Sequence, residues 1–358
     1  MSRPTLLTVV GNRPQFIKCA VVSALVRAHF HEVLLDTGQH YDHELAGIFY
    51  DQLDLPQPDI SLGVGSGSHA EQTAHMLIGI EKAIVEQRPG AVLVYGDTNS
   101  TLAGAVAAAK LCVPVAHVEA GLRSFDRRMP EEVNRVVADH VATILFCPTD
   151  TAVANLRREG IEHGVHKVGD VMFDLAERAL TPEVEERALS RFGVSAGEYV
   201  MATLHRPVNV DSEQRLAALL GVFGELDERV VFPAHPRTRA SIARFGLERL
   251  LGPNVVVLPP VGYFESLALV KNARVVATDS GGMQKEAYFF GTPCVTMRDT
   301  SEWVETLESG WNVLVGADPG ALAAALAAAA PGHTREPYYG EGDAGERIVA
   351  VLRDSVGG

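Results

Sequence analysis

The feature that most constrains this chain is a rhythm that occurs twice: short apolar, β-branched runs, each followed by a helix-length segment. In the first half the runs lie at 6–10, 33–36, 91–95, 113–118 and 142–146, and segments 14–27, 69–86 and 98–110 have helical composition. Strands that are apolar throughout are covered on both faces, and strands separated by helices pair in parallel. The pattern restarts after Val168, with runs at 199–204, 229–233, 254–259, 273–278 and 292–297. The expectation is an α/β chain of two Rossmann-like, doubly wound domains facing a central cleft, because such sheets bind ligands beyond the carboxyl ends of their strands. Residues 1–170 and 171–342 are the expected domains, with a hinge near Gly169 to Pro182. The alanine-rich stretch 319–332 reads as a surface helix stopped by Gly332.

Hydrophobic residues make up 47% of the chain and charged residues 21%, which is a globular composition. A formal charge of −14 opposes a nucleic-acid backbone, so nucleic acid is not an expected partner. The same charge means that a phosphate site must rest on local cations and backbone amides. Cys19, Cys112, Cys147 and Cys294 lack metal-site spacing and read as reduced core thiols. The apolar stretch at the N-terminus is too short for a signal peptide, and no run is long enough to span a membrane. The expected compartment is the cytoplasm.

Candidate chemistry falls where strands end. Gly11-Asn12-Arg13-Pro14-Gln15-Phe16-Ile17-Lys18 leaves the first strand through a turn and opens a helix, offering free amides to an anion with Arg13 and Lys18 close by. In the second half, Ser280 with the amides of Gly281 and Gly282 can cradle phosphate, and Glu286, one turn on, can accept from a ribose diol. Asp97, Glu119 and Glu131 also follow strands. Carboxylates there are costly unless paired, and Arg123 and Arg135 are near enough in sequence to pair with them. His205, Arg206 and His235 follow the first two strands of the second half, and His40 holds a similar place in the first. Each of these residues also has a plainer reading, as a helix cap, a salt bridge or a satisfied histidine. There is no GxGxxG after a strand, no GxxxxGK[ST], no HExxH and no GxSxG, so neither a nicotinamide cofactor nor a metal is expected.

Taken in order, GNRPQFIK, YGDTNSTLAG, HVEAGLRS, MPEEVNR, PTDTAVANL, VGDVMFD, TDSGGMQKEA and RDT resemble the non-hydrolysing UDP-N-acetylglucosamine 2-epimerases over nearly the whole chain. The resemblance implies the GT-B architecture, with residues 343–358 as a terminal helix crossing back to the first domain. It also implies a reaction without external cofactor, in which the C2 proton is lost and UDP eliminated to give a 2-acetamidoglucal, to which UDP re-adds. On that likeness Asp97, Glu119 and Glu131 form the acid/base group, with His205 beside the leaving diphosphate. Arg13, Lys18, Arg135, His235, Ser280, Gly281, Gly282 and Glu286 hold the UDP-sugar, and Phe264 lies beside uracil. Gln39, His40 and Arg206, with His235, match parts of an activating second site found in some bacterial members. The family usually forms homodimers. Trp303 departs from the pattern, standing where the better-known branch has Arg.

The segments RPQFIK, TGQHYD, RSFDRRMPEE and RDTSEWVE resemble the branch that includes UDP-2,3-diacetamido-2,3-dideoxyglucuronate 2-epimerases, whose substrate carboxylate could meet Arg123, Arg127 or Arg128. A GT-B glycosyltransferase and a non-catalytic sugar-nucleotide sensor stay open as rival readings.

Overall fold

A computed structural model describes residues 3–39, 55–330 and 334–356. The chain divides into two compact units, one of Met1–Leu175 with Pro337–Gly358 and one of Ala176–Glu336.

Unit 1 is built on a seven-stranded parallel sheet of β1 (Thr5–Val10), β2 (His31–Asp36), β3 (Ile60–Ser61), β4 (Ala91–Tyr95), β5 (Val115–Val118), β6 (Ile144–Cys147) and β7 (Val165–Lys167), in the order β3-β2-β1-β4-β5-β6-β7. All five residues of β4 are buried, because helices cover both faces of the sheet. One face carries Leu6, Val10, Leu93 and Phe146 against the helix Arg13–His29 and the C-terminal helix Ala344–Val356. The other carries Leu7, Val9, Val92 and Val94 against the helices His69–Gln87 and Asn99–Lys110. Local sequence starts these helices where the strands stop. Asn12 accepts from the Gln15 amide with Pro14 in the first turn, while Ser68 and Thr98 each close a capping box.

Unit 2 repeats the plan with β8 (Tyr199–Thr203), β9 (Arg229–Pro233), β10 (Val255–Leu258), β11 (Val275–Thr278), β12 (Cys294–Thr296) and β13 (Asn312–Leu314), all parallel, in the order β10-β9-β8-β11-β12-β13. In both sheets the chain starts in the middle, works to one edge, then returns to the other side. The strand order therefore reverses between β1 and β4, and again between β8 and β11, which is where a doubly wound sheet opens a crevice.

Two expectations are corrected, and three short strands are added to those read from the sequence. Cys19, Cys147 and Cys294 are buried, but Cys112 is exposed, because it lies in the surface turn after the helix Asn99–Lys110. The alanine-rich helix runs Pro319–Ala328 and ends in the extended residue Ala329, ahead of Gly332, which lies outside the described residues. The short strands β3, β7 and β13 were not expected. Their two or three residues are partly exposed and carry little apolar signal.

Candidate functional site

In unit 1 the ends of β1, β2 and β4 and the starts of the helices His69–Gln87 and Pro130–Val141 surround a recess of about 430 Å³. Asn12, Pro14, Gln15, Lys18, Asp97 and Glu131 are among the residues lining it. Arg13 opens the helix Arg13–His29 as an exposed residue. Lys18, one turn further on, is buried and ion-paired with Glu119, which leaves the end of β5 with a φ of 71°. That left-handed backbone is strained for a residue with a side chain, and such strain persists where surrounding structure enforces it. Gly96 lies directly beneath the pair: its φ is 61°, and a Cβ there would stand 3.1 Å from the Lys18 Nζ and 3.3 Å from the Glu119 Oε2. Only glycine lets the Asp97 turn approach this closely.

Asp97 pairs with Arg135, whose guanidinium is buried, and the Arg135 Nη1 also lies 3.4 Å from Glu132. Glu131 is exposed in the first turn of its helix, where the helix dipole favours a carboxylate. Its neighbour Glu132 turns inward, accepting from the Ser124 amide, the Ser124 hydroxyl and the Phe125 amide. Two acids at adjacent positions thus face opposite environments. At and behind the recess wall, Asp97 and Glu119 are each paired with a cation, which is what moving a proton beside a developing anionic leaving group requires.

Arg123 does not pair with any of the three expected acids. It is buried, bidentate to Glu159 at 2.7 Å and 2.7 Å, and bonded to Asp139 at 2.6 Å. Burial opposes the ionisation of Asp139, but hydrogen bonds and charge from His117 and Arg123 outweigh it and hold the carboxyl below its ordinary range. Arg128 is bonded to Asp126 two residues away, with a side chain 91% exposed.

In unit 2, Ser280 caps the helix Gly281–Phe290 by accepting from the Met283 amide at 3.4 Å. A Cβ at Gly281 would stand 2.4 Å from the Glu302 Oε1, so Glu302 lies across this helix start, salt-bridged to Arg298 at 2.9 Å. Glu286 is buried within the same helix. His205 follows β8, and its Nδ1 lies 3.2 Å from Asp279. Desolvation lowers the pKa of His205, opposed by the charge of Asp279 and assisted by Arg206, His235 and Arg298. His235 caps its own helix, its Nδ1 accepting from the Arg237 amide at 3.2 Å, and the rings of His205 and His235 are 6.5 Å apart. Phe264 is half-buried beside Tyr263 at the start of the helix Tyr263–Asn272.

Gln39 accepts from the Ser100 hydroxyl at 2.8 Å, and the Arg206 Nε donates to the Asp279 carbonyl at 3.2 Å; His40 lies outside the described residues. Trp303, the departure from the family pattern, is buried with the Lys285 Nζ 4.5 Å from its ring centroid. A cation from the neighbouring helix thus rests on the indole.

Sequence reasoning missed Asp279, Arg298 and Glu302. Asp279 is fully buried and accepts from the amides of His205 and Arg206 and from Asn209, so it shapes the turn that presents His205. Its position directly after β11, beside the end of β8, was the available signal. Arg298 and Glu302 stood in RDTSE, a motif noticed without a role.

Two doubly wound parallel sheets with charged and glycine-rich motifs at their points of strand reversal define a nucleotide-type α/β enzyme. The sequence profile of the family described as UDP-N-acetylglucosamine 2-epimerase matches residues 24–353. A Methanococcus maripaludis protein named UDP-N-acetylglucosamine 2-epimerase homolog is 48% identical, with 98% of this chain and 99% of that one covered. The UDP-2,3-diacetamido-2,3-dideoxy-D-glucuronate 2-epimerase of Pseudomonas aeruginosa is 47% identical, with 97% and 99% covered. The crystal structure of Methanocaldococcus jannaschii UDP-GlcNAc 2-epimerase in complex with UDP-GlcNAc and UDP superimposes with a TM-score of 0.89 at 41% identity, covering 98% of this chain and 99% of that chain. The chain belongs to the UDP-N-acetylglucosamine 2-epimerase family, a family of isomerases. Among the described residues no helix is long and apolar enough to cross a membrane, and no cluster of His, Cys, Asp or Glu is arranged to hold a metal ion.

Proposed function

We propose that this chain interconverts UDP-N-acetylglucosamine and UDP-N-acetylmannosamine without an external cofactor. The observation that carries the reading is the recess of unit 1, where Asp97 and Glu131 line the wall and Glu119 stands behind Lys18. The C2 proton is weakly acidic, so elimination of UDP needs a base at C2 and charge relief at the leaving oxygen. Asp97, Glu119 and Glu131 supply acid and base on the two faces of the sugar, and Arg13, Lys18 and Arg135 answer the growing charge. In unit 2, Ser280, Gly281 and Gly282 receive the diphosphate, Glu286 the ribose and Phe264 the uracil. His205, with His235 beside it, serves the leaving diphosphate.

A second substrate is favoured by one observation, the 47% identity to the Pseudomonas aeruginosa epimerase. Arg123 does not favour it, being bonded to Asp139 and Glu159 within unit 1. We place the enzyme in the cytoplasm, where nucleotide sugars are made, as a homodimer. Ile78 and Val85, 67% and 59% exposed and seven residues apart on one helix face, are the kind of surface a second copy covers.

Proton NMR of the purified protein with each candidate UDP-sugar, without acceptor or nicotinamide, tests the reading. UDP-N-acetylmannosamine formed from UDP-N-acetylglucosamine supports it. Conversion of the diacetamido-glucuronate alone transfers it to the second substrate, and label moved to an added acceptor assigns a glycosyltransferase instead.

A further inference from the structure

The turn that carries Asp97 is held more tightly than a turn needs to be. The Tyr95 carbonyl accepts from the Gln15 Nε2 at 2.8 Å and from the Thr101 hydroxyl at 2.6 Å. The Gly96 carbonyl lies 2.7 Å from the Nε2 of His117, and the Asp97 carbonyl accepts from the Asn134 Nδ2 at 3.0 Å. Three consecutive carbonyls are thus fixed by side chains from four different elements, and one of those side chains is an imidazole.

His117 lies in the middle of β5 and is fully buried. Its Nδ1 is 2.7 Å from the Asp139 Oδ1, and Asp139 is itself held by the Gly121 amide at 3.0 Å and by Arg123. A carbonyl oxygen only accepts, so it is the His117 Nε2 that donates to Gly96. A charge with no solvent contact is costly unless paired, and here the pairing runs Glu159, Arg123, Asp139, His117 and ends on a peptide carbonyl. A neutral side chain could fix that carbonyl without the network.

The peptide between Gly96 and Asp97 is trans, so its N–H points opposite to the carbonyl that His117 holds. Among the described residues the Asp97 N–H makes no hydrogen bond, and Asp97 lines the recess whereas His117 does not. Glycine at 96, with its φ of 61°, leaves this peptide free to rotate unless something outside the turn holds it.

We propose that His117 is a positioning residue for Asp97: through the Gly96 carbonyl it orients the peptide whose N–H faces away from the core as a donor to a substrate oxygen, and so fixes the root of the Asp97 carboxylate. The inference rests on the reading of Asp97 as an acid/base group, and it adds a buried imidazole that governs the reaction without touching substrate.

The variants His117→Asn and His117→Gln separate positioning from mere packing. The Asn amide reaches where Nδ1 stood and keeps the Asp139 link, whereas the Gln amide reaches toward Nε2 and keeps the donor to Gly96. Each loses one buried bond, so their melting temperatures fall alike. Positioning predicts a kcat lowered about 30-fold or more in the Asn variant and within about fivefold of wild type in the Gln variant, with KM within about threefold in both. Equal losses that follow melting temperature, or a wild-type kcat in the Asn variant, overturn the proposal. If the Asn variant does not fold, Asp139→Asn serves in its place: the oxygen of the new amide keeps the bonds from the Gly121 amide and Arg123, its NH2 donates to Nδ1, and His117 still donates to Gly96 through Nε2. Its kcat is expected within about fivefold of wild type despite a lowered melting temperature, and a kcat loss of about 30-fold or more contradicts the idea. The wild-type protein is assayed first in heavy water. If it places no deuterium at C2 of a UDP-sugar, the acid/base reading of Asp97 fails and the positioning role falls with it; normal wild-type exchange with an indifferent His117→Asn sinks positioning alone.

Discussion

The strand ends of unit 1 and those of unit 2 share a topology but not a chemistry. In both sheets the order reverses beside the first strand, and a helix begins at once with a polar cap, Asn12 in one and Ser280 in the other. Unit 1 fills its strand ends with carboxylates and then ties each of two to a cation, Glu119 to Lys18 and Asp97 to Arg135. Unit 2 leaves glycine amides at its helix start and uses a buried carboxylate, Asp279, to shape the turn that carries His205. The difference teaches that the fold supplies a place and the side chains decide what happens there. On the proposed function, one set of strand ends moves protons and the other receives an anion.

Breaking the first half of that comparison gives the largest expected effect. Glu119→Gln removes a proton acceptor and leaves Lys18 without its anion, so kcat should fall at least about 100-fold while UDP affinity holds, as steady-state kinetics and calorimetry would show. The second half is broken by Gly281→Ala, whose Cβ would stand 2.4 Å from the Glu302 carboxylate. A weakening of UDP binding by about tenfold is expected, with the thermal midpoint little changed. A third effect is visible in pH. His205 has its pKa lowered in the folded chain, chiefly by desolvation, so as pH falls the unfolded chain takes up that proton first and stability declines below the ordinary histidine range near ~6.5. Melting curves from about pH 7 to pH 5 should therefore be less steep for His205→Gln than for wild type. The smallest effect is expected for Arg128→Ala, because that exposed guanidinium is bonded to Asp126 two residues away. Turnover of UDP-N-acetylglucosamine should change less than about twofold, and a larger loss would return this loop to the sugar.

Much of this comparison was legible in the chain itself, for a physical reason. Runs such as AVLVY at β4 are apolar at every position because both faces are covered, and the polar residues that follow them mark where the cover ends. Asp97, Glu119, His205 and Ser280 could be read as site candidates because each sits directly beyond such a run. What was not legible is what holds them. Asp279 supports His205 across 74 residues, and His117 reaches Asp139 across 22 and Gly96 across 21, separations that no local pattern encodes. Arg123 was expected to pair with an acid near in sequence and instead joins Asp139 to Glu159, which is 36 residues away. Sequence spacing shows which residues leave a strand together, while packing between elements decides which of them meet.

The central claim is a division of labour, and a crossed measurement reaches it most directly: deuterium incorporation at C2 of UDP-N-acetylglucosamine in heavy water, paired with UDP calorimetry, on Asp97→Asn and Gly281→Ala. The account predicts that Asp97→Asn binds UDP like the wild-type protein but exchanges at least about 100-fold more slowly. It predicts that Gly281→Ala binds UDP weakly yet, once saturated with sugar nucleotide, exchanges at close to the wild-type rate. Wild-type exchange by Asp97→Asn, or loss of UDP binding in that variant with exchange preserved, would contradict it.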